Sequence, residues 1–200
     1  MIAEITANIP LQRQPKPYTL GDYLAREERT IHKHIFLNGQ IIRAPSAKTT
    51  HNEIATNITF AIKTILRQLK NRLLVYNSDQ KIYIEAANVV VYPDALVICE
   101  KPIFWNGRED LIVNPLVVVE VLSESTRRYD KGDKFSLYKQ APTLREYVTV
   151  EQKKPLVESW FRVEKNTWDN SFQTDISQSF ELRSIGVSIS LSDIYENITL

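Results

Sequence analysis

Residues 115–138 read PLVVVEVLSESTRRYDKGDKFSLY, and this stretch decides the fold. It opens on a continuous apolar run from Leu116 to Leu122, interrupted only by Glu120. An unbroken apolar run of this length predicts a strand buried on both faces. A carboxylate inside such a strand is costly unless a cation, a metal or several hydrogen-bond donors hold it. Downstream, the polar SEST turn leads into a helix-like segment that carries Lys134. Glu120 and Lys134 are therefore expected to share one site.

The preceding apolar run, 89–99 (VVVYPDALVIC), is interrupted by Pro93-Asp94. Proline is disfavoured in a central strand, so a bulge, bend or strand entry is expected there. Two strands then each carry one acid, Asp94 and Glu120, and neighbouring strands sit about 5 Å apart. Carboxylates that close repel unless they share a proton or a cation, and oxygen donors suit a hard ion such as magnesium or manganese. For either acid alone, backbone capping or an arginine partner remains an equal reading.

Further upstream, Thr19 predicts an N-cap before a short helix, with Leu20, Tyr23 and Leu24 on one side. Asn38-Gly39 between two apolar runs predicts a two-residue hairpin. Between Lys48 and Arg72 the period turns helical, with Ile54, Ile58, Ile62, Ile65 and Leu69 as its core face. Thr50 and Glu53 have capping-box spacing, which predicts a start near Thr50. Lys63, Arg67 and Lys70 form a basic stripe that reads as a solvated face or a phosphate contact. Short strands are expected over 73–76 and 81–85, and a polar loop holding Trp105 over 101–114.

After the central stretch, strands are expected over 146–150, 155–164 and 179–190, with a turn near Asp169-Asn170. A last helical turn follows from Leu191 to Ile194, capped by Ser190 or Ser192. The order of elements predicts one α/β or α+β domain over residues 18–200, with a mixed central β-sheet flanked by helices. Residues 1–17, with three prolines, read as a loosely attached arm.

The 200 residues carry a formal net charge of +1, which gives no strong bias toward nucleic acid or membrane. Residues 151–200 hold a net −3 and the first 150 a net +4, compatible with a basic working face. The single cysteine, Cys99, reads as a small buried hydrophobe and excludes both an internal disulfide and a thiolate zinc site. No run reaches the length of a membrane span and the N-terminus lacks the order of a signal peptide, so the cytoplasm is expected.

Lys134 and Tyr138, four apart, share a helical face. Lys134 is otherwise a solvated lysine in a charged run, and Tyr138 a packing residue. Ser123 and Ser125 read as cap residues, since no nucleophile-elbow sequence surrounds them. His32, His34 and His51 are weak candidates by spacing alone.

Taken together, YPDALVICE, NPLVVVEVLSEST, YDKGDKF and LREYVTVEQ, with FLNGQII and THNEIATNI before them and SIGVSISLSDIYE after, resemble the Uma-two family. That family, formerly a domain of unknown function, is assigned to the PD-(D/E)XK nuclease superfamily. The resemblance covers almost the whole chain. It implies a restriction-endonuclease-like fold and a Mg2+- or Mn2+-dependent endonuclease acting on DNA, working as a homodimer. Asp94 and Glu120 match the metal-binding acids, with the Val121 carbonyl as a further ligand. The superfamily lysine would fall at Leu122, and Lys134 looks like its migrated substitute. His51 and Tyr138 are implied as orienting or phosphate-contacting groups. The family often places a glutamate at the position of Ile35, so this chain departs by one acid. The alternative is a silent module that keeps the nuclease fold and binds nucleic acid or a partner without cutting.

Overall fold

The computed structural model describes residues 16–200 except 125. Residues 1–15 of the arm expected over 1–17, and the reading of Ser125, lie outside the described residues. Helix α1 (Leu20–Glu27) begins as expected: the Thr19 side chain accepts from the Asp22 N–H, and Asp22 reaches back to the Thr19 N–H. Strands β1 (His34–Leu37) and β2 (Gln40–Arg43) close the two-residue hairpin. Asn38 and Gly39 both take positive φ (43° and 95°), the conformation this turn requires.

Helix α2 (Thr49–Gln68) buries Ile54, Ile58, Ala61, Ile62 and Leu66. The expected capping box is absent: Lys48 is the N-cap, and no side chain caps it. With the helix already begun at Thr49, Thr50 is a helical residue and not a cap. Leu69, expected on the core face, lies at the C-cap and is exposed. Lys63, Arg67 and Lys70 are exposed.

Strands β3 (Leu74–Asn77), β4 (Lys81–Ile84) and β5 (Val89–Val91) follow, then β6 (Ala95–Ile98) and the short β7 (Leu111–Ile112). The interruption at 92–94 is a change of sheet. β5 belongs to a five-stranded sheet of order β2-β1-β5-β4-β7, whereas β6 belongs to a second, larger sheet. Cys99 comes just after β6 and is exposed, contrary to the buried position expected of it. The apolar run ends at Ile98, one residue earlier than its composition suggests.

Strand β8 (Pro115–Leu122) is buried along almost its whole length. It is followed by α3 (Arg127–Tyr129), a π turn (Asp130–Lys134) and α4 (Phe135–Tyr138). The chain then enters β9 (Glu146–Glu151), which pairs parallel with β8. Parallel neighbours need a crossover of a dozen residues or more, and 123–145 supply it. Strands β10 (Val157–Arg162) and β11 (Trp168–Gln173) add to the same sheet. Asp169 and Asn170, expected in a turn, lie inside β11 opposite Phe161 and Trp160. The reversal falls earlier, over 163–167, where the Val163 N–H donates to the Thr167 carbonyl at 3.0 Å.

The larger sheet thus has six strands in the order β11-β10-β9-β8-β6-β3, antiparallel except for β8/β9, and so is mixed as expected. A hairpin of β12 (Ser179–Leu182) and β13 (Val187–Ser190) leads to α5 (Leu191–Ile194), where the Ser190 hydroxyl accepts from the Asp193 N–H. Alternation along β8 sorts its side chains. Val117, Val119 and Val121 join Ile54, Ile58 and Ile62 of α2 in one core. Val118 joins Phe135, Tyr138 and Tyr147 in a second core on the other face. Glu120, two residues from Val118, is carried to that second face.

Candidate active site

Glu120 is only 3% exposed, and both its oxygens are engaged. The Tyr138 hydroxyl donates to Oε1 at 2.7 Å, and Lys134 Nζ lies 2.7 Å from Oε2. Lys134 also approaches Asp130 Oδ1 at 3.3 Å. The π turn shapes this contact. Its i→i+5 bonding widens the helix, a feature frequent at functional sites. Asp130, Lys134 and Tyr138, each four apart, are all turned toward the strand.

Burial pushes the Glu120 carboxyl up to about 8, and the nearby Asp94 and Asp130 charges push the same way against the pull of Lys134. Burial works against the Lys134 ammonium, but Glu120 and Asp130 outweigh it and hold the group above its ordinary range. Burial, aided by the Glu120 charge, raises the Tyr138 phenol well above its ordinary value, so it remains a donor.

Asp94 sits at the bend between the two sheets. Its N–H donates to the Val119 carbonyl at 3.1 Å, which anchors the bend to β8. Its Oδ2 accepts the Val121 N–H at 2.7 Å, and its Oδ1 lies 2.9 Å from His51 Nε2. The other His51 nitrogen, Nδ1, faces the side-chain amide of Gln152 at 3.4 Å. That amide also donates to the Leu122 carbonyl at 2.8 Å. With a donor facing Nδ1, the hydrogen-bond pattern assigns a proton to Nε2, so His51 donates to Asp94.

Asp94, Glu120, Val121, Lys134 and His51 all line one cavity of about 1330 Å³. Tyr138 stands behind them, fully buried, and reaches the group only through Glu120. Leu122, at the superfamily's lysine position, is buried and contributes its carbonyl to Gln152. Ile35 lines the same cavity, so its wall is apolar at the position where the family often places a glutamate. One histidine falls elsewhere: His34 is buried 2.8 Å from Glu27. His32 lines the outer part of the same cavity, exposed beside Arg43.

Gln152 and Asp130 were not among the expected site residues. Asp130 was detectable, since it precedes Lys134 by four. Gln152 was not: it follows β9, and only the parallel pairing of β9 with β8 brings it to Leu122.

The donor set fits a divalent cation of the magnesium type. Such ions are held by one or two carboxylates, with waters and substrate phosphates in the remaining positions. Asp94 and Glu120 keep lone pairs beyond the contacts they make here. Among the described residues no cluster of three or more acids, histidines or cysteines could hold a metal by itself, so this would be an open site.

A mixed sheet with two acids at its centre and a helical crossover beside them has the restriction-endonuclease-like architecture. A crystal structure described as a "putative nuclease belonging to DUF820", from Anabaena variabilis ATCC 29413, superposes with a TM-score of 0.69 at 14% identity. It covers 90% of this chain and 98% of that one. The chain belongs to the Uma2 family, "Putative restriction endonuclease", whose model matches residues 20–192. Two proteins of Synechocystis sp. (strain ATCC 27184 / PCC 6803 / Kazusa) are similar. One, "Uncharacterized protein sll1609", is 32% identical over 153 residues, which is 76% of this chain and 85% of that protein. The other, "Uncharacterized protein slr1290", is 30% identical over 177 residues, 88% and 90% of the two chains.

Proposed function

We propose that this protein is a divalent-metal-dependent endonuclease that hydrolyses DNA phosphodiester bonds. The observation that carries this reading is the convergence of Asp94, Glu120 and Lys134 on one cavity, in a chain of the Uma2 family. Mg2+ or Mn2+, held by Asp94, Glu120 and the Val121 carbonyl, would lower the pKa of a bound water and neutralise charge on the scissile phosphate. The chain's own groups have separate tasks. Lys134, kept cationic by two acids, stabilises negative charge developing on the phosphoryl oxygens. His51 and the Val121 N–H fix both oxygens of Asp94. Tyr138 holds Glu120 from behind. The reading includes a homodimer, one active site for each strand, which light scattering tests by returning twice the chain mass.

The test is nicking of supercoiled plasmid in Mg2+ or Mn2+ by the wild type, Asp94→Ala and Glu120→Ala. Nicking by the wild type alone is expected. Equal nicking by all three reveals a contaminating nuclease. A second reading, a silent nucleic-acid-binding module, is favoured by Ile35 in the cavity wall and by the internal pairing of Glu120. Absence of nicking by any of the three supports it.

A further inference from the structure

Two stretches of chain, 31–55 and 120–134, supply most of the cavity lining, and their charges are arranged differently. Along the second, the cations that line the cavity are matched: Arg127 pairs with Glu151, Lys134 with Glu120, and the neighbouring Lys153 with Glu124 at 2.7 Å. Along the first, Lys33 is matched by Asp79 at 2.7 Å. Arg43 and Lys48, both exposed and both lining the cavity, make no direct ion pair with a carboxylate among the described residues, although Lys48, after Lys153, is near enough to Glu124 to help hold its carboxyl below the ordinary value. The guanidinium of Arg43 instead lies 3.3 Å from Nδ1 of His32. The same stretch holds out two apolar side chains, Ile31 at 95% exposure and Ile42 at 40%.

Exposed cations at the site's cavity that make no direct ion pair suit a polyanion. The exposed isoleucines narrow the choice. Nucleic acid offers phosphates to the cations and sugar and base faces to the apolar tips, whereas a simple anion offers only charge.

We propose that residues 31–48 are the grip for the DNA strand entering the site. Arg43 and Lys48 contact its phosphates, and Ile31 lies against a sugar or base. The grip rests on the nuclease reading for where the scissile phosphate sits. The binding itself is testable without cleavage. The basic stripe on α2, Lys63, Arg67 and Lys70, is the competing surface; it does not line the cavity and takes no part.

The test uses the full chain in EDTA with a fluorescein-labelled DNA duplex, reading affinity by anisotropy across a salt series. Each lost phosphate contact lowers the log–log salt slope by about 0.9. Arg43→Ala/Lys48→Ala is therefore expected to lower the slope by nearly 2 and to weaken binding by about tenfold or more at low salt. Ile31→Ser weakens binding without changing the slope. Lys63→Ala/Arg67→Ala leaves both unchanged. All these side chains are exposed, so the melting temperature of each variant stays that of the wild type. Wild-type slope and affinity in Arg43→Ala/Lys48→Ala overturn the grip, as does a loss confined to the α2 variant or no binding by the wild type. Plasmid nicking by the same proteins separates the two claims. Wild-type nicking alongside unaltered binding by Arg43→Ala/Lys48→Ala removes the grip and leaves the nuclease. Binding that depends on Arg43 and Lys48 without any nicking keeps the grip and removes the nuclease.

Discussion

Glu120 is held by one cation and one phenol inside a strand, and its titration follows from that setting. Its folded value of about 8 lies above the ordinary carboxylate value, so folding favours the protonated form. Stability from this group is present below the ordinary value and is lost as pH rises through about 8. Lys134→Met removes the counter-charge and pushes Glu120 higher still. Thermal unfolding across a pH series is expected to show the two proteins losing stability in parallel up to about 8, and the variant alone continuing to lose it above that value. The added deficit should reach about 3 kcal/mol once Glu120 is ionised, the scale of breaking a buried pair. A variant that stays parallel to the wild type above about 8 contradicts the pairing. Tyr138→Phe removes one hydrogen bond to the same carboxylate and is expected to cost about 1.5–3 kcal/mol by denaturant titration.

At this scale the sequence was informative where a residue broke its own context. Glu120 interrupts an apolar run and Asp94 follows a proline that interrupts another, so both stood out. Lys134 is less distinctive, because a lysine in a charged run has an ordinary explanation; the need of the buried Glu120 for a cation points to it, and the family resemblance adds to that. Gln152 gave no signal, because its place depends on the parallel register of two distant strands.

Among the elements, α2 supplies the inner face against which β8 packs, and the π turn sets the reach of Lys134. Ile58, fully buried in that contact, is expected to cost about 2–5 kcal/mol when replaced by alanine. Leu69→Ala, at the exposed end of the same helix, should fall within about 0.5 kcal/mol of the wild type. Chemical denaturation of the two variants checks the contrast. The π turn gives a different test. Deleting Gly132, where a side chain would meet only open space, should restore regular α-helical register and rotate Lys134 away from Glu120. Plasmid nicking should then be lost while the folded circular dichroism spectrum remains.

Element boundaries were less legible than element types. The hairpin at Asn38-Gly39 and the Thr19 cap follow from local chemistry and could be read directly. The start of α2 near Thr50 could be read as well, but its capping box could not, since Thr50 and Glu53 have the right spacing while the helix begins at Thr49 with Lys48 as N-cap. Asp169-Asn170 has turn-forming residues, yet pairing with β10 draws both into a strand. Long-range pairing overrides local preference in both the β11 and Gln152 cases.

In the molecule as a whole, the 92–94 bend joins two sheets and places Asp94 beside β8. The mixed sheet was legible from the order of elements, but its division from a second, five-stranded sheet was not. The proline in the apolar run 89–99 marks a bulge, bend or strand entry, and only tertiary pairing shows that the strands on its two sides belong to two sheets. If Asp94 and Glu120 share a cation, ligand binding must stabilise the whole fold. Millimolar Mn2+ is expected to raise the wild-type melting temperature and to leave that of Asp94→Ala unchanged.

The most direct test of the shared site is a crystal grown or soaked with Mn2+ and measured for anomalous scattering. The account predicts one strong peak in the cavity, within about 2.0–2.6 Å of a carboxylate oxygen from each of Asp94 and Glu120. Density that leaves Glu120 bound only to Lys134 and Tyr138, with no peak between the two acids, would contradict it.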